Sequence, residues 1–172
     1  LRPLYRLAAA KGAFVNLDME EYRDLDLTLE VFTTILSEPE FAGLEAGIVL
    51  QAYLPDAPSA FERLVHFAKE RRQAGGAGIK IRLVKGANLA MEAVDAELHG
   101  WQSAPHPSKA ATDATYVRIL DRALSPDVAA CVRVGVAGHN LYHLALARPL
   151  ATRRGVAHAV DVELLRGLAP DQ

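Results

Sequence analysis

Short apolar runs rich in β-branched residues alternate along this chain with longer stretches in which apolar residues recur every three or four positions. The first run, AFVNLDME at 13–20, follows Gly12 and reads as a buried strand whose charged end marks a strand mouth. From Asp24, DLDLTLEVFTTILSEPEF sets Leu25, Leu29, Phe32 and Leu36 at helical spacing, with Asp24 or Asp26 as N-cap and Pro39 beyond the end. GIVLQAYL at 47–54 repeats the strand pattern. Pro55, Asp56 and Pro58 then supply a turn and a helix start, and FERLVHFAKERRQ is a helix stopped by GGAG. IKIRLVKGA at 79–87 is the third strand, and the helix LAMEAVDAELHGW after it carries Leu89, Val94 and Leu98 on one face. A further helix runs through KAATDATYVRILDRAL. CVRVGVAGHN and HAVDVELLRG supply two more strands around a helix near NLYHLALARPLATRR.

Five strands alternating with helices predict parallel βαβ units and the α/β class. No Gly-x-Gly-x-x-Gly or Gly-x-x-x-x-Gly-Lys-Ser/Thr follows any strand, which favours a (β/α)8 TIM-like barrel over a doubly wound sheet. A barrel takes eight strands and roughly 250 residues, so the pattern predicts a partial barrel of about five β/α units. Residues 1–172 are then expected to be an internal segment of one barrel domain, with the first and last strands outside it. In a barrel, the polar strand ends Asp18 and Glu20, Gln51 and Tyr53, Arg82 and Lys85, His139 and Asn140 meet at one mouth, where active sites sit.

Composition narrows the function classes. A hydrophobic fraction of 51% over 172 residues, with a mean hydropathy of +0.07, is enough for one core without disulfides. Nineteen basic and 21 acidic residues leave a formal net charge of -2, so no overall positive field attracts nucleic acid. Cys131, the single cysteine, lies in an apolar run and reads as a buried, inert thiol, in keeping with a reducing cytoplasm. No run approaches the roughly 20 apolar residues of a membrane helix, and the start lacks a signal core. The expected location is cytoplasmic, with at most peripheral attachment at the inner face of the membrane.

The candidate chemistry sits at the strand ends. Arg82 interrupts an apolar strand with a permanent charge that needs an anion or an electron-rich acceptor. Lys85, Gly86 and Ala87 follow at a strand-to-helix turn, where glycine lets backbone amides approach a phosphate or a flat ring. Gln51 can donate and accept at once, as the polar edge of such a ring requires. Gly138 precedes His139 in the same way. Asp18 could cap the following helix, pair with Arg23, or act on a substrate. Scattered histidines without ligand spacing argue against a metal. A Schiff-base lyase using Lys85 is the rival enzyme reading, and a non-catalytic barrel fragment is the third.

NLDMEEYRDLDLTLEVF, IVLQAYL, IRLVKGAN and VGVAGHNL, in this order and spacing, closely resemble the proline dehydrogenase family. ANLAMEAVDAELHGW further resembles its bifunctional bacterial form, proline utilization A. That resemblance implies an FAD-dependent barrel that oxidises L-proline to pyrroline-5-carboxylate and passes electrons to a quinone. In the bifunctional form an aldehyde dehydrogenase domain follows. Asp18 falls on the family's active-site aspartate, and Arg82 on the arginine beside the flavin's reactive nitrogen. Gln51 matches the glutamine that meets the flavin ring, Lys85, Gly86 and Ala87 the cofactor-binding turn, and Gly138 with His139 a later cofactor-binding pair. Lys109 resembles a basic position near the FAD phosphates, and Leu165 a pocket wall. Asn88 stands where many relatives carry a tyrosine over the substrate, and Gly138 where many carry threonine or serine. The family's carboxylate-binding lysine and arginine pair have no counterpart in these 172 residues, which alone are therefore not expected to turn over proline.

Overall fold

The computed structural model describes residues 1–165 and Gly167. A first helix, α1 (Arg2–Lys11), starts with Pro3 in its first turn and ends at Gly12, whose positive φ of 61° suits a left-handed cap. β1 (Val15–Leu17) and α2 (Leu25–Leu36) follow, then β2 (Ala46–Gln51), α3 (Ala57–Gln73) and β3 (Ile79–Val84). The second half holds α4 (Leu89–His99), α5 (Lys109–Ala123), the single turn α6 (Pro126–Ala129), β4 (Val132–Ala137), α7 (Leu141–Arg153) and β5 (Val160–Glu163). Ser108 starts α5 by accepting a hydrogen bond from the Ala111 amide at 3.2 Å, and Asn140 starts α7 by accepting one from Tyr142 at 3.0 Å.

All strands are parallel and stand in sequence order, β1 to β5. One face is apolar and lies under the helices: Ile48, Ile81 and Val134 pair across β2, β3 and β4, as do Leu50, Leu83 and Val136, and all are buried. The opposite face is polar. Val49, Arg82, Gly135 and Asp161 form one of its rows. This sheet is open, with β1 and β5 at its edges among the described residues. The expected α/β class and five parallel strands are therefore present, while a closed barrel is not, because five strands do not complete a cylinder that takes eight.

The strands are shorter than the sequence pattern predicts. The first covers three residues of the expected 13–20, since the Met19 and Glu20 carbonyls turn aside to accept hydrogen bonds from the Gln51 amide at 2.8 and 3.2 Å. The helix after β3 departs further. No residue of α4 is buried, and Leu89, Val94 and Leu98 face outward; α5 instead covers β3 and β4, with Tyr116, Ile119 and Leu120 in the core. Asp24 takes the N-cap position of α2 without a side-chain hydrogen bond. Cys131 is buried as expected, and burial pushes its thiol pKa up.

A buried cation went unnoticed in the sequence. Arg71 of α3 is 8% exposed and donates to the carbonyl oxygens of Ala77 at 2.9 Å, Phe41 at 2.6 Å, Ala42 at 3.0 Å and Leu44 at 2.8 Å, and also to that of Leu36. It ties the end of α2 and the loop before β2 to α3.

Candidate functional site

The C-terminal ends of the strands open into a cavity of about 860 Å³. Asp18, Gln51, Arg82, Lys85, Gly86, Ala87, Asn88, Lys109, Gly138, His139 and Leu165 line it, as do Glu20 and Asn140; Tyr53, expected at the same mouth, instead lines a neighbouring hollow. Parallel strands in sequence order bring this about, because each βα turn opens on the same side of the sheet.

Asp18 lies just past β1. Its Oδ1 is 3.2 Å from Arg82 Nη1 and accepts from Asn16 Nδ2 at 3.1 Å. It neither caps α2 nor pairs with Arg23, which pairs with Glu21 at 2.5 Å. Gln51, 3% exposed, spends its amide nitrogen on the Met19 and Glu20 carbonyls, which orients its oxygen as an acceptor. That oxygen is buried and has no partner among the described residues. Asn88 donates to the Glu20 carbonyl at 2.8 Å and to its carboxylate at 3.1 Å, so it holds the 18–20 turn rather than capping α4.

Past β3, Lys85 and Lys109 share Asp113, the latter at 2.6 Å. Burial pushes the Asp113 carboxyl up, but hydrogen bonds from Lys109 and Lys85 outweigh it and hold the group below the usual carboxylate range. Gly86 has φ 128°, and a Cβ there would lie 2.6 Å from the Tyr53 ring, so the turn is closed to any other residue. Burial, with the charges of Glu92 and Glu20, pushes the Tyr53 phenol up to about 12. Beyond the Lys85–Gly86 turn a second hollow of about 850 Å³ lies between Tyr22, Leu89 and residues 102–109. Lys85, Gly86 and Lys109 line both hollows. Gly138 has φ 135° with open space beside it; His139 Nε2 donates to the Leu165 carbonyl at 3.3 Å, and the Leu165 side chain is exposed.

Glu163 also lines the cavity and was not foreseen. It belongs to a chain of charges along the polar face: Arg82 to Glu163 at 2.5 Å, Glu163 to Lys80 at 2.7 Å, Lys80 to Asp161 at 2.8 Å, Asp161 to Arg133 at 2.5 Å, and Arg133 to Glu45 at 2.7 Å. A signal was present. Parallel strands are usually apolar on both faces, yet IKIRLV, VRVG and VDVE alternate charge with valine, isoleucine or leucine.

Burial pushes the Asp161 and Glu163 carboxyls up, but hydrogen bonds from Lys80, joined by Arg133 and Arg82, hold both below their ordinary values. A folded pKa below the unfolded one adds stability that is fully present above the unfolded value, about 4, and is lost as pH falls through the folded value. Acid unfolding is thus expected to set in below about pH 4, and Asp161→Asn to flatten the acid limb of a stability-against-pH curve. An acid limb identical in the variant would show that the charge chain does not contribute.

A family model described as proline dehydrogenase matches residues 1–172. The bifunctional protein PutA of Klebsiella aerogenes is 29% identical over 170 residues, 98% of this chain and 12% of the relative, and the proline dehydrogenase of Deinococcus radiodurans is 33% identical over 116 residues, 66% of this chain and 30% of the relative. The chain thus spans about an eighth of the length of its curated PutA relatives. Among solved structures, proline utilization A of Corynebacterium freiburgense superposes with a TM-score of 0.95 at 57% identity, over 99% of this chain and 18% of that one. The Bdellovibrio bacteriovorus protein, inactivated by N-propargylglycine, does so with a TM-score of 0.90 at 39% identity, over 98% of this chain and 17% of that one. With a family model matched from end to end and the strand-end motifs gathered in one cavity, the chain belongs to the proline dehydrogenase family.

Proposed function

We propose that this chain forms the redox site of a flavin-dependent enzyme that oxidises L-proline to pyrroline-5-carboxylate. The observation that carries the reading is the convergence of eleven candidate residues, Asp18, Gln51 and Arg82 among them, on one cavity at the strand ends. The residues fit an FAD: Gln51 offers a buried acceptor without a partner among the described residues, Gly86 brings backbone close to the Tyr53 ring, and Lys85 and Lys109 supply cations where two hollows join. Bound FAD would supply the two-electron acceptor for the hydride equivalent leaving the ring carbon beside proline's nitrogen. Arg82 would stabilise the negative charge that arrives, and Asp18 would orient the substrate ammonium. Gln51, Gly138 and His139 would hold the ring system, and Lys85, Ala87 and Lys109 would hold the phosphates. Asn88 and Leu165 would border the substrate.

Lys85 does not suit the rival Schiff-base reading, since an ammonium paired with Asp113 is not the free amine that attack on a carbonyl requires. Sequential parallel strands are also the order of an arc of a (β/α)8 barrel, and we infer that further strands of the complete protein close it. No described helix is long and apolar enough to cross a membrane. A quinone acceptor met at the inner face of the membrane by a cytoplasmic enzyme, and an aldehyde dehydrogenase domain in the same protein, complete the proposal.

The test is the complete purified protein, which should be yellow with a flavin spectrum and should bleach on anaerobic addition of proline. A colourless protein that takes up no FAD would rule the reading out. Asp18 is two-thirds exposed, so Asp18→Asn is expected to change stability by less than about 0.5 kcal/mol while impairing proline turnover. Thermal melts beside steady-state kinetics check this, and a melt lowered in step with activity would make Asp18 structural.

A further inference from the structure

We propose that Glu163 is a positioning residue that, through Arg82, sets how much positive charge the cavity presents to a redox cofactor. The inference rests on the reading that this cavity holds FAD. β5 is separated from β3 by β4, so Glu163 must reach across a whole strand to meet Arg82 Nε at 2.5 Å. Gly135 makes that reach available: it pairs with Arg82 in the register, and a Cβ there would run into the Glu163 carboxylate. The second carboxylate oxygen lies 2.7 Å from Lys80 Nζ. Glu163 therefore sits between two cations. One lines the cavity, and the other lies below it on the same face of β3.

A carboxylate in contact with Arg82 offsets the guanidinium's charge at the place where electrons are to arrive. Both side chains are partly buried, at 31% and 20% exposure, so the offset is less screened than at a surface. An added negative charge opposes the charge that builds on reduction, and its removal favours the reduced cofactor. A residue that only tied β5 to β3 would leave that equilibrium alone.

The experiment is a redox titration of the FAD-loaded complete protein against a reference dye. Glu163→Gln keeps the shape and leaves Lys80 paired with Asp161 and Arg82 with Asp18. It should shift the ratio of reduced to oxidised flavin at a given potential by about tenfold toward reduced, roughly 30 mV for a two-electron couple. Lys80→Met strips a cation from the same carboxylate and should move the potential the opposite way. A Glu163→Gln potential equal to or below that of the unsubstituted protein would overturn the proposal. Should that variant fail to fold, Lys80→Met decides alone: a lowered potential supports the assignment and an unmoved one overturns it. An unsubstituted protein that binds no FAD fails at the earlier step, overturning the flavin reading and this inference with it.

Discussion

Arg82→Met is expected to slow reduction of the bound flavin by proline by on the order of a hundredfold, the usual loss for one electrostatic stabiliser in a partly buried site. Among the described residues Arg82 is the arginine that lines the cavity, near the end of β3 where the flavin edge is proposed to lie. Two acids hold it there from opposite sides, Asp18 from the loop after β1 and Glu163 from β5. Methionine keeps most of the length and removes the charge, leaving Glu163 paired with Lys80, so the fold should survive. Rapid mixing under anaerobic conditions, following flavin absorbance, measures the step directly. A variant that reduces its flavin at the parent's rate would remove Arg82 from the chemistry.

Arg71→Met is expected to be the most damaging substitution for stability. The guanidinium serves five carbonyls at the junction of α2, the loop before β2 and the end of α3. Burial lowers its pKa; the Phe41 and Ala42 carbonyls also accept from the Leu44 and Ala77 amides, whereas the Leu36 carbonyl at the end of α2 relies on the guanidinium. Methionine fills the space and donates nothing. The bond to Leu36 is buried and those to Leu44 and Ala77 are partly so, and each acceptor left unsatisfied costs roughly 1–3 kcal/mol. A total of about 2–5 kcal/mol follows, which in a domain of this size lowers Tm by roughly 10 °C. Arg71→Lys should recover little, since an ammonium cannot span carbonyls that a planar fork reaches. Thermal and denaturant melts of both variants decide it; a Tm within a degree of the parent's would show that water replaces the guanidinium at little cost.

The site itself was largely legible in the sequence, for a geometric reason. In parallel βα units the residue that ends a strand also enters the mouth, so Asp18, Gln51, Arg82, Lys85 and His139 could be placed from one-dimensional position alone. Partners were not. Glu163 contacts Arg82 from 81 positions away, and Arg71 reaches Leu36 over 35; no periodicity within either segment names the other. Asp18 illustrates the difference. Its place at a strand end was readable, but local reasoning offered Arg23 as its partner, whereas the sheet delivers Arg82.

Helix assignment divides the same way. The 3.6-residue period found α2, α3, α5 and α7, because burial of one face leaves its pattern in the local order of residues. For α4 the same pattern was present and misled, since Leu89, Val94 and Leu98 share a face that the sheet does not cover. Local order therefore determined the class, the order of elements and the residues of the mouth, all of which depend on contacts a few residues apart. The tertiary structure alone decided which helix covers the sheet, which acids neutralise Arg82 and where the buried Arg71 finds its acceptors. Those outcomes depend on the register of β3, β4 and β5 and on the packing of α2 against α3, which bring together residues whose separation along the chain carries no trace of their contact.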